Sequence, residues 1–229
     1  MKLAIMQPYF FPYIGYWQLI FAADTFVIYD DVNYIKKGYI NRNSILVSGA
    51  NHLLILELLG ASQNKKINEI GIGGNIPKIL KTIEHAYKKS PYFENIFPII
   101  KKVLNNQEKN LSQFLLFSIT IICEYLDIQT KFIISSEINK NNELRGQDKI
   151  INICESLQAT KYINAIGGQD LYQKEMFSQK GTELLFIKSK SIDYLQFQAP
   201  FVPNLSIIDM LMFNNKEQVK QYLTEFELI

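Results

Sequence analysis

Short apolar runs alternate with stretches of helical periodicity along most of the chain. Residues 2–6 and 25–29 are predicted as buried strands, and residues 15–23 between them as a helix. A strand, a helix and a second strand within about thirty residues form a βαβ unit, whose two strands are usually parallel. The amino-terminal pattern therefore predicts the start of a parallel sheet.

The second half of the chain repeats this alternation and predicts further elements of the same sheet. The predicted strands are 130–135, 160–164 and 183–187, and the predicted helices are 146–157, 171–177 and one or two within 205–223. Such alternation is typical of an α/β protein with a mostly parallel sheet and helices on both faces, in a Rossmann-type arrangement.

A hairpin and a helical segment are predicted between these two halves. Apolar runs at 44–47 and 52–58 flank a polar turn at 48–51. From residue 76 the spacing becomes helical, and Pro91 and Pro98 interrupt it. We therefore expect one α/β domain over residues 1–229, with a helical insertion at 76–128 and a helical carboxyl terminus.

Composition excludes several classes of protein. Of the 229 residues, 48 % are hydrophobic, which is enough for a sizeable core, and 24 basic against 22 acidic residues leave a net charge of +2. Nucleic-acid binding is not expected, because the chain has no strong basic field. The first apolar run is too short for a signal peptide or membrane span. Cys123 and Cys154 lie in apolar surroundings without further metal ligands, so we expect buried thiols, no metal site and a cytoplasmic protein.

The loop after the first strand is the first candidate site. In open parallel sheets, ligands bind beyond the carboxyl ends of the strands, near helix amino termini. Tyrosines there can stack on a ligand or donate hydrogen bonds, although the same aromatic cluster could only cover the end of the sheet. The candidate binding residues are Gln7, Tyr9, Gly15 and Tyr16, and Tyr13 is a candidate catalytic residue.

A charged stretch after the second strand is the second candidate. Paired carboxylates followed by cations could position a substrate amine beside an anion-binding group, although charged runs are often only solvated turns. The candidate catalytic residues are Asp30, Asp31 and Lys36, and the candidate binding residues are Lys37, Asn41, Arg42 and Asn43.

A glycine pair after the predicted strand at 160–164 is the third candidate. Backbone amides of Gly167 and Gly168 could bind a phosphate or carboxylate. Asn164 and Tyr172 flank the pair, and Asn204 could face the same site. If the sheet is parallel, the loops that carry Tyr13, Lys36 and Gly168 should meet at one edge.

Four segments of the chain resemble the WbqC-like protein family. They are residues 7–16, the stretch 31–43, the turn 89–93 and the loop 162–172. The resemblance implies a place in bacterial surface-polysaccharide biosynthesis, including that of O-antigen. Members often carry a Ser-Gly-Pro-like sequence where this chain has Ala165-Ile166-Gly167-Gly168, so no serine hydroxyl is expected to act there.

The first loop also resembles that of nucleotidylyltransferases, whose His-x-Gly-His sequence follows the first strand. Here the matching place reads Tyr13-Ile14-Gly15-Tyr16. Neutral tyrosine stabilises a developing phosphate charge less well than imidazolium does. Lys36, Lys37 or Arg42 would then have to supply the positive charge if ATP with Mg²⁺ is a cofactor.

Taken with the candidate residues, the resemblance to the WbqC-like protein family implies an enzyme that transfers an acyl or aminoacyl group to the amine of a nucleotide-linked amino sugar. The acyl donor could be a small molecule or a carrier protein, and an aspartate would deprotonate the attacking amine. The alternatives are a nucleotidylyltransferase that acts on a small phosphorylated acceptor and a sugar-binding protein without catalysis.

Overall fold

The structure, a computed structural model, describes residues 1–197 and 200–229. The strands are β1 (Lys2–Met6), β2 (Thr25–Ile28), β3 (Arg42–Val47), β4 (Ala50–Ile55), β5 (Leu58–Leu59), β6 (Gly71–Ile72), β7 (Lys131–Ile134), β8 (Lys161–Ala165), β9 (Glu183–Ser189) and β10 (Phe226–Leu228). The α-helices are α1 (Ile14–Ala22), α2 (Ile76–Tyr87), α3 (Phe93–Leu104), α4 (Leu111–Tyr125), α5 (Gly146–Ser156), α6 (Lys174–Ser178), α7 (Ile207–Phe213) and α8 (Lys216–Tyr222).

Six strands form the central sheet in the order β10-β9-β8-β1-β2-β7. Every neighbouring pair is parallel except β9 and β10. Numbered along the chain within this sheet, the order is that of a doubly wound Rossmann fold. The predicted α/β class with a mostly parallel sheet is therefore confirmed, and the strand order reverses between β1 and β8.

Helices cover both faces of the sheet. Successive residues of a strand point to opposite faces, so neighbouring residues of β1 pack against different helices. Leu3 and Ile5 of β1 belong to one core cluster together with residues of α5 and α6. Ala4, which lies between them, belongs to a larger cluster with α1, the inserted helices and the two carboxyl-terminal helices. Both cysteines are buried free thiols, as predicted, and burial raises the pKa of the Cys154 thiol to about 12.

The long connection between β2 and β7 packs on the α1 face of the sheet. It carries the predicted hairpin, β3 with β4, whose turn residues Ser48 and Gly49 have φ of 51° and 79°. Helices α2, α3 and α4 lie within the predicted helical segment at 76–128. That this segment is an insertion within a single domain remains a prediction. Among residues 1–197 and 200–229, no helix has both the length and the apolar character needed to cross a membrane.

Hydrogen bonds from distant residues hold the loop that follows β1. Phe11 has φ of 42°, a left-handed conformation that is unusual for a phenylalanine. The Asn43 side-chain amide and the Ser206 hydroxyl each donate to the Phe11 carbonyl oxygen at 2.7 Å. Trp17 Nε1 donates to the Pro12 carbonyl oxygen at 2.9 Å. The chain path after β1 is therefore fixed from three directions.

Replacing Asn43 with alanine tests this bracing. Asn43→Ala leaves buried carbonyl oxygens with fewer donors, so we expect the free energy of unfolding to fall by about 1–3 kcal/mol. Urea denaturation followed by circular dichroism measures this change. Asn51→Ala, on the exposed strand of the hairpin, is the matched control and should change stability little. Equal stability of the two variants would contradict the bracing role.

Candidate functional site

A cavity of about 430 Å³ opens where the strand order reverses, between the loops that follow β1 and β8. This is the place at which doubly wound sheets bind ligands. Because six tyrosines line it, we call it the tyrosine cavity. Its lining residues are Ile5, Met6, Gln7, Tyr9, Tyr13, Gly15, Tyr16, Leu19, Tyr29, Tyr39, Ile150, Asn164, Ala165, Gly167, Gly168, Leu171 and Tyr172.

The tyrosines on the β1 side form a contiguous aromatic wall. The ring of Tyr9 lies 5.4 Å from that of Tyr16 and 5.9 Å from that of Tyr39, measured between centroids. The Tyr16 hydroxyl donates to the Gln7 carbonyl oxygen at 2.9 Å. Burial, reinforced by neighbouring tyrosines, raises the pKa of Tyr9 and Tyr13 above the usual phenol value. These phenols are therefore neutral hydrogen-bonding groups at physiological pH.

The opposite wall comes from the loop after β8. A Cβ atom added to Gly168 would lie 2.7 Å from the side-chain nitrogen of Asn164, so glycine lets this buried asparagine occupy its place beneath the loop. The Tyr172 ring packs edge-on against Tyr162 at 5.9 Å. This wall therefore presents an amide, backbone groups and one phenol.

Tyr13 lies across the start of α1. A Cβ atom added to Gly15 would be 2.6 Å from the Tyr13 ring, which shows how closely the ring covers the helix backbone. The Tyr13 residue is nevertheless 40 % exposed, so its side chain is only partly covered. Gly15 thus leaves room for the ring, and Tyr13 forms a partly exposed wall of the tyrosine cavity.

No Asp, Glu, Lys or Arg lines the tyrosine cavity among the residues that the structure describes. A triphosphate with Mg²⁺ needs cationic and carboxylate partners. The residues lining the tyrosine cavity therefore do not fit ATP with Mg²⁺, and we derive no reaction step through it. Their chemistry fits neutral rings and hydroxyl groups, on which tyrosines can stack and to which they can donate hydrogen bonds.

The polar residues predicted between positions 36 and 43 lie outside the tyrosine cavity. Lys36 and Lys37 are exposed on the loop before β3. Arg42 donates to the carbonyl oxygens of Lys37 and Gly38 and so closes that loop. Asn41 accepts from the Tyr34 hydroxyl and donates to the Leu56 carbonyl oxygen, both at 2.8 Å. Asn41 and Arg42, like Asn43, thus use their side chains to hold the backbone through hydrogen bonds to carbonyl oxygens.

Asp30 and Asp31 belong to a buried polar cluster that joins β2, β7 and α5. Asp30 accepts hydrogen bonds from the backbone nitrogen and the hydroxyl of Ser136, at 2.9 and 2.7 Å. Asp31 forms ion pairs with Lys140 at 3.1 Å and Lys149 at 2.9 Å. The two carboxylates and two ammonium groups balance in charge. Neither carboxylate lines the tyrosine cavity, so this geometry supports a structural role for both.

The pKa of Asp31 reflects these partners. Burial acts to raise the pKa, but the Ser135 hydroxyl and the ammonium groups of Lys149 and Lys140 outweigh it and hold the pKa below the usual carboxyl value. The Asp31 side chain is therefore ionised in the folded protein at neutral pH and stabilises the native state there.

The predicted meeting of three loops takes a different form in the structure. Tyr13 and Gly168 line the tyrosine cavity together, but Lys36 does not. The loop after β2 reaches the cavity through Tyr29 and Tyr39, which the sequence reasoning did not select. Tyr29 directly follows β2, and this position at a strand's carboxyl end was the available signal. Asn204 lines a separate, smaller cavity, which shares Tyr13 with the tyrosine cavity.

Comparisons with known proteins agree with a chain-wide relationship. A profile of the WbqC-like protein family matches residues 7–221. Uncharacterized protein Rv1507c of Mycobacterium tuberculosis is 28 % identical over 227 residues, which cover 97 % of this chain and 97 % of that protein. No solved structure matches the chain.

Replacing Asp31 with asparagine tests the structural role of the ion pairs. Asp31→Asn leaves two buried ammonium groups without their carboxylate, so we expect stability at pH 7 to fall by about 3–5 kcal/mol. The pKa of Asp31 is lowered in the folded protein. The stability difference between the wild type and the variant should therefore be largest above the ordinary carboxyl pKa and should disappear as the pH falls through the folded-state pKa. Urea denaturation at several pH values measures this. The exposed Asp170→Asn is the control, and equal stabilities would contradict the account.

Replacing Gly15 with alanine tests the packing of Tyr13. Gly15→Ala should push the Tyr13 ring away, whereas helix propensity favours alanine by about 1 kcal/mol, so we expect no loss of melting temperature. Nitration by tetranitromethane, located by mass spectrometry, should be faster at Tyr13 in the variant. Gly74→Ala adds a methyl group in open space and should leave the nitration rate unchanged. An unchanged rate in Gly15→Ala would mean that the ring does not pack there.

Proposed function

Because the chain belongs to the WbqC-like protein family, we propose that it binds a nucleotide-linked amino sugar in the tyrosine cavity and transfers an acyl or aminoacyl group to the amine of that sugar. The resemblance of its motifs to this family supports a place in surface-polysaccharide biosynthesis, including that of O-antigen. The observation that carries the proposal is an uncharged cavity with six tyrosines at the reversal point of the sheet.

Tyrosine rings suit the two ring systems of such a substrate. Sugar faces and nucleobases stack on aromatic side chains, and phenol groups donate hydrogen bonds to hydroxyl oxygens. The cavity volume of about 430 Å³ is within the usual range for small-molecule sites. The sugar and base thus occupy the uncharged lining, and the diphosphate remains near solvent at the mouth.

The transfer step places demands on the residues around the amine. The sugar nitrogen attacks the carbonyl carbon of an activated acyl group, and a hydrogen-bond donor near the carbonyl oxygen stabilises the negative charge that develops there. Tyr13 is suited to this role because its phenol is neutral and lies at the edge of the tyrosine cavity. Asp30 and Asp31 are not assigned the role of base in this proposal, since Ser136, Lys140 and Lys149 already bind their carboxylates.

Replacing Tyr39 with alanine tests the binding part of the proposal. Tyr39 is 59 % exposed, so its removal should leave the fold intact, but the loss of one stacking face should weaken binding roughly 2- to 10-fold, as expected for about 0.5–1.5 kcal/mol. Isothermal titration calorimetry with UDP-glucosamine, a nucleotide-linked sugar with a free amine, measures this. Leu59→Ala, at a position 60 % exposed, is the matched control and should bind like the wild type.

Mass spectrometry of UDP-glucosamine incubated with the protein and an acyl or aminoacyl thioester tests the transfer. An N-acylated sugar is the expected product. Binding without product would favour the sugar-binding alternative, and failure of the wild type to bind at millimolar concentration would contradict the proposal.

A further inference from the structure

A second cavity, of about 120 Å³, shares Tyr13 with the tyrosine cavity. Tyr13 lines both cavities, and the adjacent start of α1 contributes Gly15 to one and Ile14 to the other. Molecules bound in the two cavities would therefore border the same residue, Tyr13, which is partly exposed.

The two cavities differ in charge. Lys190 and Asp193 line the second cavity, together with the hydroxyl-bearing residues Ser189 and Ser191, whereas the described lining of the tyrosine cavity has no charged residue. Within residues 1–197 and 200–229, the Asp193 carboxylate has no ion-pair partner. The Lys190 ammonium group lies 3.2 Å from a Glu225 carboxylate oxygen, and the two side chains are 50 % and 37 % exposed. One cation and one anion thus border the same small space.

Apolar side chains also line the second cavity. Leu205, Ile207 and Met210 are buried and line it. A ligand that fits this lining has a positive end, a polar oxygen end and a small apolar part. An α-amino acid with a small side chain, free or attached through its carbonyl carbon to a carrier, has these three features.

We propose that the second cavity binds a small α-aminoacyl group, with its ammonium group at Asp193 and its carbonyl or carboxylate oxygen toward Tyr13, Lys190 and the serine hydroxyls. This inference rests on the proposed function and narrows it from acyl transfer in general to aminoacyl transfer. It assigns the aminoacyl donor to the second cavity and the amino sugar to the tyrosine cavity, so that the two reacting groups meet beside Tyr13, which lines both.

The resulting reaction balances with an aminoacyl thioester as the donor. The sugar nitrogen forms a bond to the aminoacyl carbonyl carbon, and the carbon–sulfur bond breaks with its electron pair on sulfur. The proton that the nitrogen loses ends on the departing thiolate. The products are an N-aminoacyl sugar and a free thiol.

Ligand-observed NMR titrations test the second cavity without any need for turnover. The probes are glycine, glycine methyl ester with its carboxyl group blocked, acetate and methylamine. We expect the wild type to bind the ester, and Asp193→Asn to weaken this binding at least tenfold. Binding of glycine as well as the ester points to the free amino acid as a source, and binding of the ester alone points to a carrier-linked group; both support the inference. Asp148→Asn, an exposed aspartate that lines neither cavity, should bind like the wild type.

Three results would overturn the inference. In the first, the wild type binds neither glycine nor its methyl ester. In the second, Asp193→Asn binds the ester as tightly as the wild type does. In the third, acetate or methylamine binds as tightly as both glycine compounds. UDP-glucosamine is titrated into the same samples to separate this inference from the proposed function. If UDP-glucosamine binds and neither glycine compound binds, only the inference fails. If none of the three compounds binds, the inference and the proposed function both fail. Because Asp193 is exposed, the variant should keep the wild-type melting temperature, which confirms that it folds.

Discussion

The reversal of strand order between β1 and β8 is the constraint on which the rest of the site depends. The chain leaves β1 toward α1 on one face of the sheet, and it leaves β8 toward α6 on the other. The two loops therefore diverge and open a crevice beyond the strand ends. Two local features then set the shape of the crevice. Asn43 and Ser206 bind the carbonyl oxygen of Phe11, which has a left-handed conformation, and Gly15 leaves room for the Tyr13 ring.

Charged side chains beside the tyrosine cavity are bound to structural partners, and none of the lining residues that the structure describes is charged. The Asp31 carboxylate joins the end of β2 to α5 through Lys149, whose ammonium group also lies 5.3 Å from the Tyr29 ring centroid. A wall tyrosine is thus in contact with the buried ion pairs. The Asp31 carboxylate after β2 thus pairs with Lys140 and Lys149, whereas the described lining of the neighbouring cavity carries no charge. It also leaves neutral stacking and hydrogen bonding as the means of recognition there.

Periodicity predicted much of the fold because the long elements follow it closely. Strand β1 has the predicted bounds, and α1 begins and ends within one residue of the prediction. The strands β5, β6 and β10 were missed because runs of two or three residues have no measurable period. The helix predicted at 171–177 is shorter, since residues 166–171 form a 3-10 helix and α6 begins at Lys174.

The candidate site could be predicted where it depends on topology and not where it depends on side-chain partners. The loops after β1 and β8 were selected because their strands end at one edge, and residues of both line the tyrosine cavity. Asp31 and Arg42 were selected by residue type. Their partners lie on α5 and on a loop backbone, and no local pattern shows that these partners already bind them. Tyr29 and Tyr39 were overlooked beside such charged neighbours.

Hydrogen–deuterium exchange with and without UDP-glucosamine tests the location of the site most directly. If the substrate binds in the tyrosine cavity, amides in residues 7–16 and 164–172 should exchange more slowly in its presence, because these loops line the cavity. Protection confined to residues 36–43, with unchanged exchange in the loops after β1 and β8, would contradict this account and return the site to the charged loop.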